Sequence, residues 1–165
     1  MTNNVQIYYG DGKGKTTSAI GQCIKAAGEG KQVIIVQFLK GKDSLELEFI
    51  KRLEPEIKLF RFEKSNKCYC DLSEEEKAEQ DSNIRNGLNY IKKVLTTGEC
   101  DVLVIDEMLG LVDNHIISVE DVIQIIHQKD EGVELILTGR VLPKELESYA
   151  EDIYQINTIK EANRS

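Results

Sequence analysis

Short apolar runs alternate along this chain with longer stretches patterned as helices. Val5 to Tyr9 predicts a strand and Thr16 to Ala27 a helix. Gly28-Glu29-Gly30-Lys31 makes a turn, and Gln32 to Phe38, with the β-branched run Val33-Ile34-Ile35-Val36 inside it, predicts a buried strand. Lys40-Gly41-Lys42 follows at its carboxyl end. Ser44 to Leu53 predicts a helix that Pro55 breaks, Ile57 to Phe62 alternates as a strand does, and Glu63 to Asp71 is a polar loop. Ser73 followed three residues later by Glu76 is a capping box with an acidic first turn, and it opens a long helix to about Leu95. Val102 to Ile105 is the fourth strand and Val133 to Leu137 the fifth, with a helix from Ser118 to about Gln128 between them. Pro143 to Tyr149 is a short helix before a last strand at Asp152 to Ile156.

Strands and helices in this alternation build a mostly parallel sheet covered on both faces. At 165 residues and 41% hydrophobic content, the chain is expected to form one α/β domain spanning residues 1–165, with about six strands. The net charge of -8 and the lack of a basic block argue against a nucleic-acid partner. No apolar run approaches the roughly 18 residues of a membrane span, and Met1-Thr2-Asn3-Asn4 has no signal-peptide character, so a cytoplasmic protein is expected. The four cysteines contain no C-x-x-C pair. Cys68-Tyr69-Cys70 places two thiols in a polar loop, where they could bind a metal or form a redox pair, although no second pair or nearby histidine supports a metal site.

The lysines gather instead in Tyr8-Tyr9-Gly10-Asp11-Gly12-Lys13-Gly14-Lys15-Thr16-Thr17, directly after the first strand and into the first helix. A triphosphate is held by backbone N–H groups converging at a helix N-terminus, and Gly10, Gly12 and Gly14 supply the freedom for that approach. Lys15 is expected to reach the phosphates and the Thr16 hydroxyl to ligate Mg²⁺. In the G-x-x-x-x-G-K-[ST] pattern the first glycine would fall at Tyr9, so Gly10 opens the loop one residue late and the cradle is altered. This context predicts a P-loop nucleotide-hydrolase-like (RecA-like) fold. A second chemical element is Asp101-Val102-Leu103-Val104-Ile105-Asp106-Glu107, an apolar strand ending in two carboxylates. In a parallel sheet it would present Asp106 and Glu107 beside the phosphate loop, where hard oxygens suit Mg²⁺. Thr138-Gly139-Arg140 ends the fifth strand on the same edge, and Arg140 there can bind phosphate and stabilise a departing anion.

Gly10 to Thr17, Ala26-Ala27-Gly28-Glu29-Gly30-Lys31, Val36-Gln37-Phe38-Leu39-Lys40-Gly41, Val104-Ile105-Asp106-Glu107 and Leu137-Thr138-Gly139-Arg140 occur in this order. Together they resemble the motifs of the P-loop ATP:corrinoid adenosyltransferases. The resemblance spans about Val5 to Ile156. It implies attack by the Co(I) centre of a reduced corrinoid on the 5′ carbon of ATP, with release of intact triphosphate. The expected binding set is Gly10, Asp11, Gly12, Lys13, Gly14, Lys15, Thr16, Thr17 and Lys40, with Lys15, Glu107 and Arg140 serving the chemistry and Thr16, Asp106 and Glu107 the metal. ATP and the reduced corrinoid are then substrates, Mg²⁺ the cofactor, a flavoprotein the source of Co(I), and a homodimer the assembly. Two features depart from the family. Its tryptophan-bearing aromatic segment after the third strand is replaced by Glu63-Lys64-Ser65-Asn66-Lys67-Cys68-Tyr69-Cys70, and its longer tail by Lys160 to Ser165. A small ATPase or kinase, or a nucleotide-binding regulatory module without corrinoid activity, are the alternatives.

Overall fold

A computed structural model describes residues 4–39, 45–63 and 65–163. Six strands form one sheet: β1 (Val5–Tyr9), β2 (Val33–Gln37), β3 (Ile57–Arg61), β4 (Val102–Asp106), β5 (Glu134–Gly139) and β6 (Asp152–Gln155). Their spatial order is β3-β2-β4-β5-β1-β6, and every neighbouring pair is parallel. All the carboxyl ends therefore share one edge. The helices are α1 (Lys15–Gly28), α2 (Leu45–Ile50), α3 (Glu74–Thr97), α4 (Met108–Asp113) and α5 (Val119–Gln128).

Successive side chains of a strand point to opposite faces, and this divides the core in two. Ile34, Val36, Leu103, Ile105, Leu135 and Leu137 pack on one face with residues of α3, α4 and α5. Val33, Ile35, Val102, Val104 and Ile136 pack on the other, with Ala19, Ile20 and Cys23 of α1 and Ile50 of α2. Both faces of β2 and β4 are covered, which is why these strands read as unbroken apolar runs: all five residues of each are buried. Each such aliphatic side chain contributes about 1.5–3 kcal/mol by leaving water. The edge strand β6 is exposed along its length.

Two long helices start where the sequence predicts. Ser73 Oγ accepts from Glu76 N–H at 3.2 Å while the Glu76 carboxylate accepts from Ser73 N–H at 2.8 Å. Ser118 and Asp121 make the same reciprocal pair at the start of α5. The structure departs from expectation at four places. Helix α4 follows Asp106-Glu107 without being predicted, because six residues are too few to display a helical period. Lys144–Tyr149 is a 3₁₀ helix, and Ser44 to Leu53 resolves into α2 and a 3₁₀ turn at Lys51–Leu53, with Ser44 outside the described residues. The polar loop contains a 3₁₀ turn at Tyr69–Asp71. Among the described residues no helix is long and apolar enough to cross a membrane.

Candidate active site

The loop from Gly10 to Gly14 joins β1 to α1 on the carboxyl edge. Gly14 caps α1 in the left-handed region at φ 106°, no side chain caps the helix, and its first turn holds no acidic residue. The contrast with the capping boxes of α3 and α5 is physical: the first N–H groups of α1 are left for an anion. They face a cavity of about 390 Å³ lined by every residue from Asp11 to Thr17 together with Glu107 and Arg140.

Gly10 lies behind that cavity, outside its lining. Its amide donates to the Arg140 carbonyl at 3.1 Å, tying the loop to the end of β5. Gly12 N–H donates to the Ile156 carbonyl at 2.8 Å, and a Cβ on Gly12 would lie 2.8 Å from that oxygen. Gly12 has no positive φ. These two glycines thus admit the segment after β6 against the back of the loop, and the late first glycine marks that contact.

The two lysines differ. Lys15 Nζ donates to the Gly12 carbonyl at 2.8 Å, curled over the loop where phosphate oxygens would replace this single neutral partner. Lys13 Nζ lies 2.9 Å from the Glu161 carboxylate. That hydrogen bond raises the Lys13 pKa and lowers that of Glu161. Asp11 Oδ1 accepts from Thr158 N–H at 3.4 Å, a second tie between loop and tail. Thr17 is exposed on the cavity wall. Lys40 lies outside the described residues.

Asp106 and Glu107 part company despite being adjacent. Asp106 is buried, 1% exposed, and its carboxylate accepts from Thr16 Oγ1 at 2.9 Å, Thr138 Oγ1 at 2.7 Å and Gln37 Nε2 at 2.9 Å. Such bonds hold the carboxylate, and through it the Thr16 hydroxyl, in one orientation. Glu107 turns out of the strand at φ 62°, its N–H donating to Thr138 Oγ1 at 2.9 Å, and caps α4. A Cβ on Gly110 would meet Glu107 Oε2 at 2.7 Å, so the carboxylate lies over the first turn of α4. Gly139 lets α4 approach: a Cβ there would run into Leu109, whose Cα stands only 3.1 Å away.

Among the described residues no cluster of three or more His, Cys, Asp or Glu side chains could hold a metal ion alone. Magnesium asks for less from the protein, using one or two carboxylates with phosphate oxygens and water. Thr16, Asp106 and Glu107 fit that demand as hard oxygen donors. The buried Gln37 Oε1 has no partner among the described residues, so this corner retains unused acceptor capacity next to Asp106.

A second cavity of about 280 Å³ adjoins the first. It is lined by Leu39, Cys68, Tyr69, Cys70, Gly110, Asp113 and Asn114, and it shares Glu107 and Arg140 with the first cavity. The polar loop after β3 is therefore folded back to the site. Tyr69 OH donates to Asp81 Oδ1 at 2.7 Å, which pins that loop to α3. Phe62, one residue past the end of β3, by contrast packs against the core with Phe38 and Tyr90.

Sequence reasoning assigned no role to Thr138, Gln37 or the Ile156 carbonyl. A signal for the first two was present: each is a polar residue that directly follows an apolar run, Val33 to Val36 or Leu135 to Leu137, near the carboxyl end of a strand next to β4, and both are buried. A backbone carbonyl leaves no mark in a sequence.

The chain is 26% identical over 156 residues to a corrinoid adenosyltransferase of Escherichia coli, covering 94% of this chain and 77% of that protein. It is 27% identical over 157 residues to one of Salmonella typhimurium, with the same coverage. Among solved structures, a KaiC-like protein of Pyrococcus horikoshii superposes with TM-score 0.55 at 17% identity, covering 97% of this chain and 74% of that one, which speaks to the P-loop α/β fold alone. The family model described as ATP:corrinoid adenosyltransferase BtuR/CobO/CobP matches residues 2–165. With a cavity at an uncapped helix, an anchored carboxylate beside it and this match along nearly its whole length, the chain belongs to the ATP:corrinoid adenosyltransferase family.

Proposed function

We propose that the family's reaction, transfer of the 5′-deoxyadenosyl group of ATP to the Co(I) centre of a reduced corrinoid, runs across the boundary between the two cavities. The observation that carries this reading is that Glu107 and Arg140 line both. The triphosphate occupies the cavity at α1, and the corrinoid approaches from the cavity beside Tyr69. The 5′ carbon of ATP then lies at their junction.

Cobalt attacks that carbon, a cobalt–carbon bond forms, and the carbon–oxygen bond breaks with its electron pair leaving on the triphosphate. No proton has to move for this step. The protein's task is to bring the reactants together and to stabilise growing negative charge on the leaving group. The α1 N–H groups and Lys15 bind the phosphates, and Arg140 receives charge at the ribose end. Lys13 exchanges Glu161 for phosphate. Thr16 and Glu107, with Asp106 orienting Thr16, would hold Mg²⁺, which supplies charge neutralisation on the triphosphate when bound. A flavoprotein outside the site delivers the electron that makes Co(I), the enzyme works in the cytoplasm, and the assembly is a homodimer.

The test is an anaerobic assay with ATP, Mg²⁺ and chemically reduced cobalamin, following the cobalt spectrum and the phosphate products together. Loss of the Co(I) spectrum in step with triphosphate release, dependent on Lys15, is expected. Release of ADP with an unchanged spectrum would refute the assignment.

A further inference from the structure

The four thiols occupy two kinds of place. Cys23 and Cys100 are buried, one on each face of the sheet, and burial pushes both thiols up to about 12, which keeps them from acting as nucleophiles near neutral pH. Cys68 and Cys70 are exposed and line the cavity that Glu107 and Arg140 share with the phosphate site. No cluster suited to a metal ion includes them among the described residues.

We propose that Cys68 and Cys70 are a modification site, closing a reversible disulfide by exchange with a small-molecule disulfide, and that this closure remodels the cavity beside Arg140. The effect on turnover rests on the assignment of that cavity to the corrinoid; the disulfide itself does not. In the first step one cysteine thiolate attacks the reagent's disulfide, forming a mixed disulfide and releasing one reagent thiolate. In the second, the other cysteine attacks the protein-bound sulfur, forming the Cys68–Cys70 bond and releasing the second. The two cysteine protons end on the two released thiols, and the reagent is reduced by the two electrons the cysteines lose.

Residues two apart have Cα atoms no more than about 7 Å from each other, so the chain itself brings the sulfurs within reach of a bond that needs roughly 4.4–6.8 Å. The turn they sit in opposes closure. Asp71 N–H donates to the Cys68 carbonyl at 2.9 Å and Leu72 N–H to the Tyr69 carbonyl at 3.2 Å. Side chains two apart on such a turn point to different sides. Closing the ring therefore unwinds the turn and draws Tyr69 from its 2.7 Å bond to Asp81. The resulting bond is strained and exposed, which is the character of a readily reduced, regulatory disulfide.

The experiment treats the whole chain with oxidised glutathione and maps the products by peptide mass spectrometry, alongside ATP titration and the anaerobic transfer assay. The expected result is loss of two hydrogens on the peptide holding both cysteines, unchanged ATP affinity, and a fall of about tenfold or more in transfer rate that a dithiol reverses. Cys70→Ser should trap glutathione on Cys68 instead and form no internal disulfide. Absence of the internal disulfide, its formation through Cys23 or Cys100, or an oxidised protein that transfers as fast as the reduced one would overturn the proposal. If the reduced protein transfers nothing, the functional assignment fails, and the mass result and a change in Tyr69 fluorescence still decide whether the disulfide forms and moves the loop.

Discussion

The Ile156 carbonyl oxygen accepts a hydrogen bond from Gly12 N–H at 2.8 Å, so the backbone after the last strand forms the floor of the phosphate loop. A methyl group on Gly12 would sit 2.8 Å from that oxygen and 2.9 Å from the Asn157 carbonyl carbon, both of them backbone atoms that cannot swing aside. Gly12→Ala should therefore lower stability by about 1–3 kcal/mol and weaken ATP binding at the same time. Thermal unfolding with and without ATP checks it. A variant with unchanged melting temperature and ATP affinity would show that the floor yields.

Lys15 Nζ donates to the Gly12 carbonyl at 2.8 Å, and Lys15 lines the cavity. Lys15→Ala should leave folding intact and reduce ATP affinity by at least about tenfold, roughly 1.4 kcal/mol, in an equilibrium titration. Unaltered affinity would remove Lys15 from the phosphate site.

Asp106 and Glu107 should respond differently to loss of charge. Asp106→Asn places an NH₂ group among donors that now bond the carboxylate, Thr16, Thr138 and Gln37, and should cost about 2–3 kcal/mol in denaturant unfolding as well as activity. Glu107→Gln, on the cavity wall, should fold normally and lose Mg²⁺-dependent transfer. If both variants are equally stable, the anchoring role of Asp106 is wrong.

Gly139 faces Leu109 across the junction of β5 and α4. Gly139→Ala should force α4 outward, with a loss of about 1–3 kcal/mol and displacement of both Glu107 and Arg140. A fall in melting temperature with a fall in kcat and little change in ATP affinity is expected.

Burial, reinforced by the hydrogen bond to Asp81, pushes the Tyr69 hydroxyl up to about 12 from 10.0. Its folded pKa lies above the unfolded one, so this contribution is fully present below pH 10 and is lost as pH rises through about 12. The segment bearing Tyr69 should loosen from α3 in that window, read as a phenolate absorbance transition coupled to faster limited proteolysis. Tyr69→Phe should abolish the coupled transition. If proteolysis in the wild-type chain accelerates well below pH 10, another group controls the docking.

Much of this fold was legible because its signals are local. The continuous runs of β2 and β4, the capping boxes at Ser73 and Ser118 and the glycine-lysine loop each announce themselves within a few residues. Helix α4 escaped because it is too short to show a period, and its closeness to β5 depends on Gly139, about 30 residues later in the chain. The sequence by itself thus determined the parallel α/β architecture and the placing of the glycine-lysine loop and the carboxylate pair at strand ends, since hydrophobic period and residue chemistry are properties of short segments. Only the tertiary structure decided that Asp106 is an anchor while Glu107 lines the cavities, that Gly10 and Gly12 yield to Ile156, and that Cys68 to Cys70 reach Arg140. Those relations join atoms far apart in the chain, and they exist only once strand order and packing have brought the carboxyl edge together.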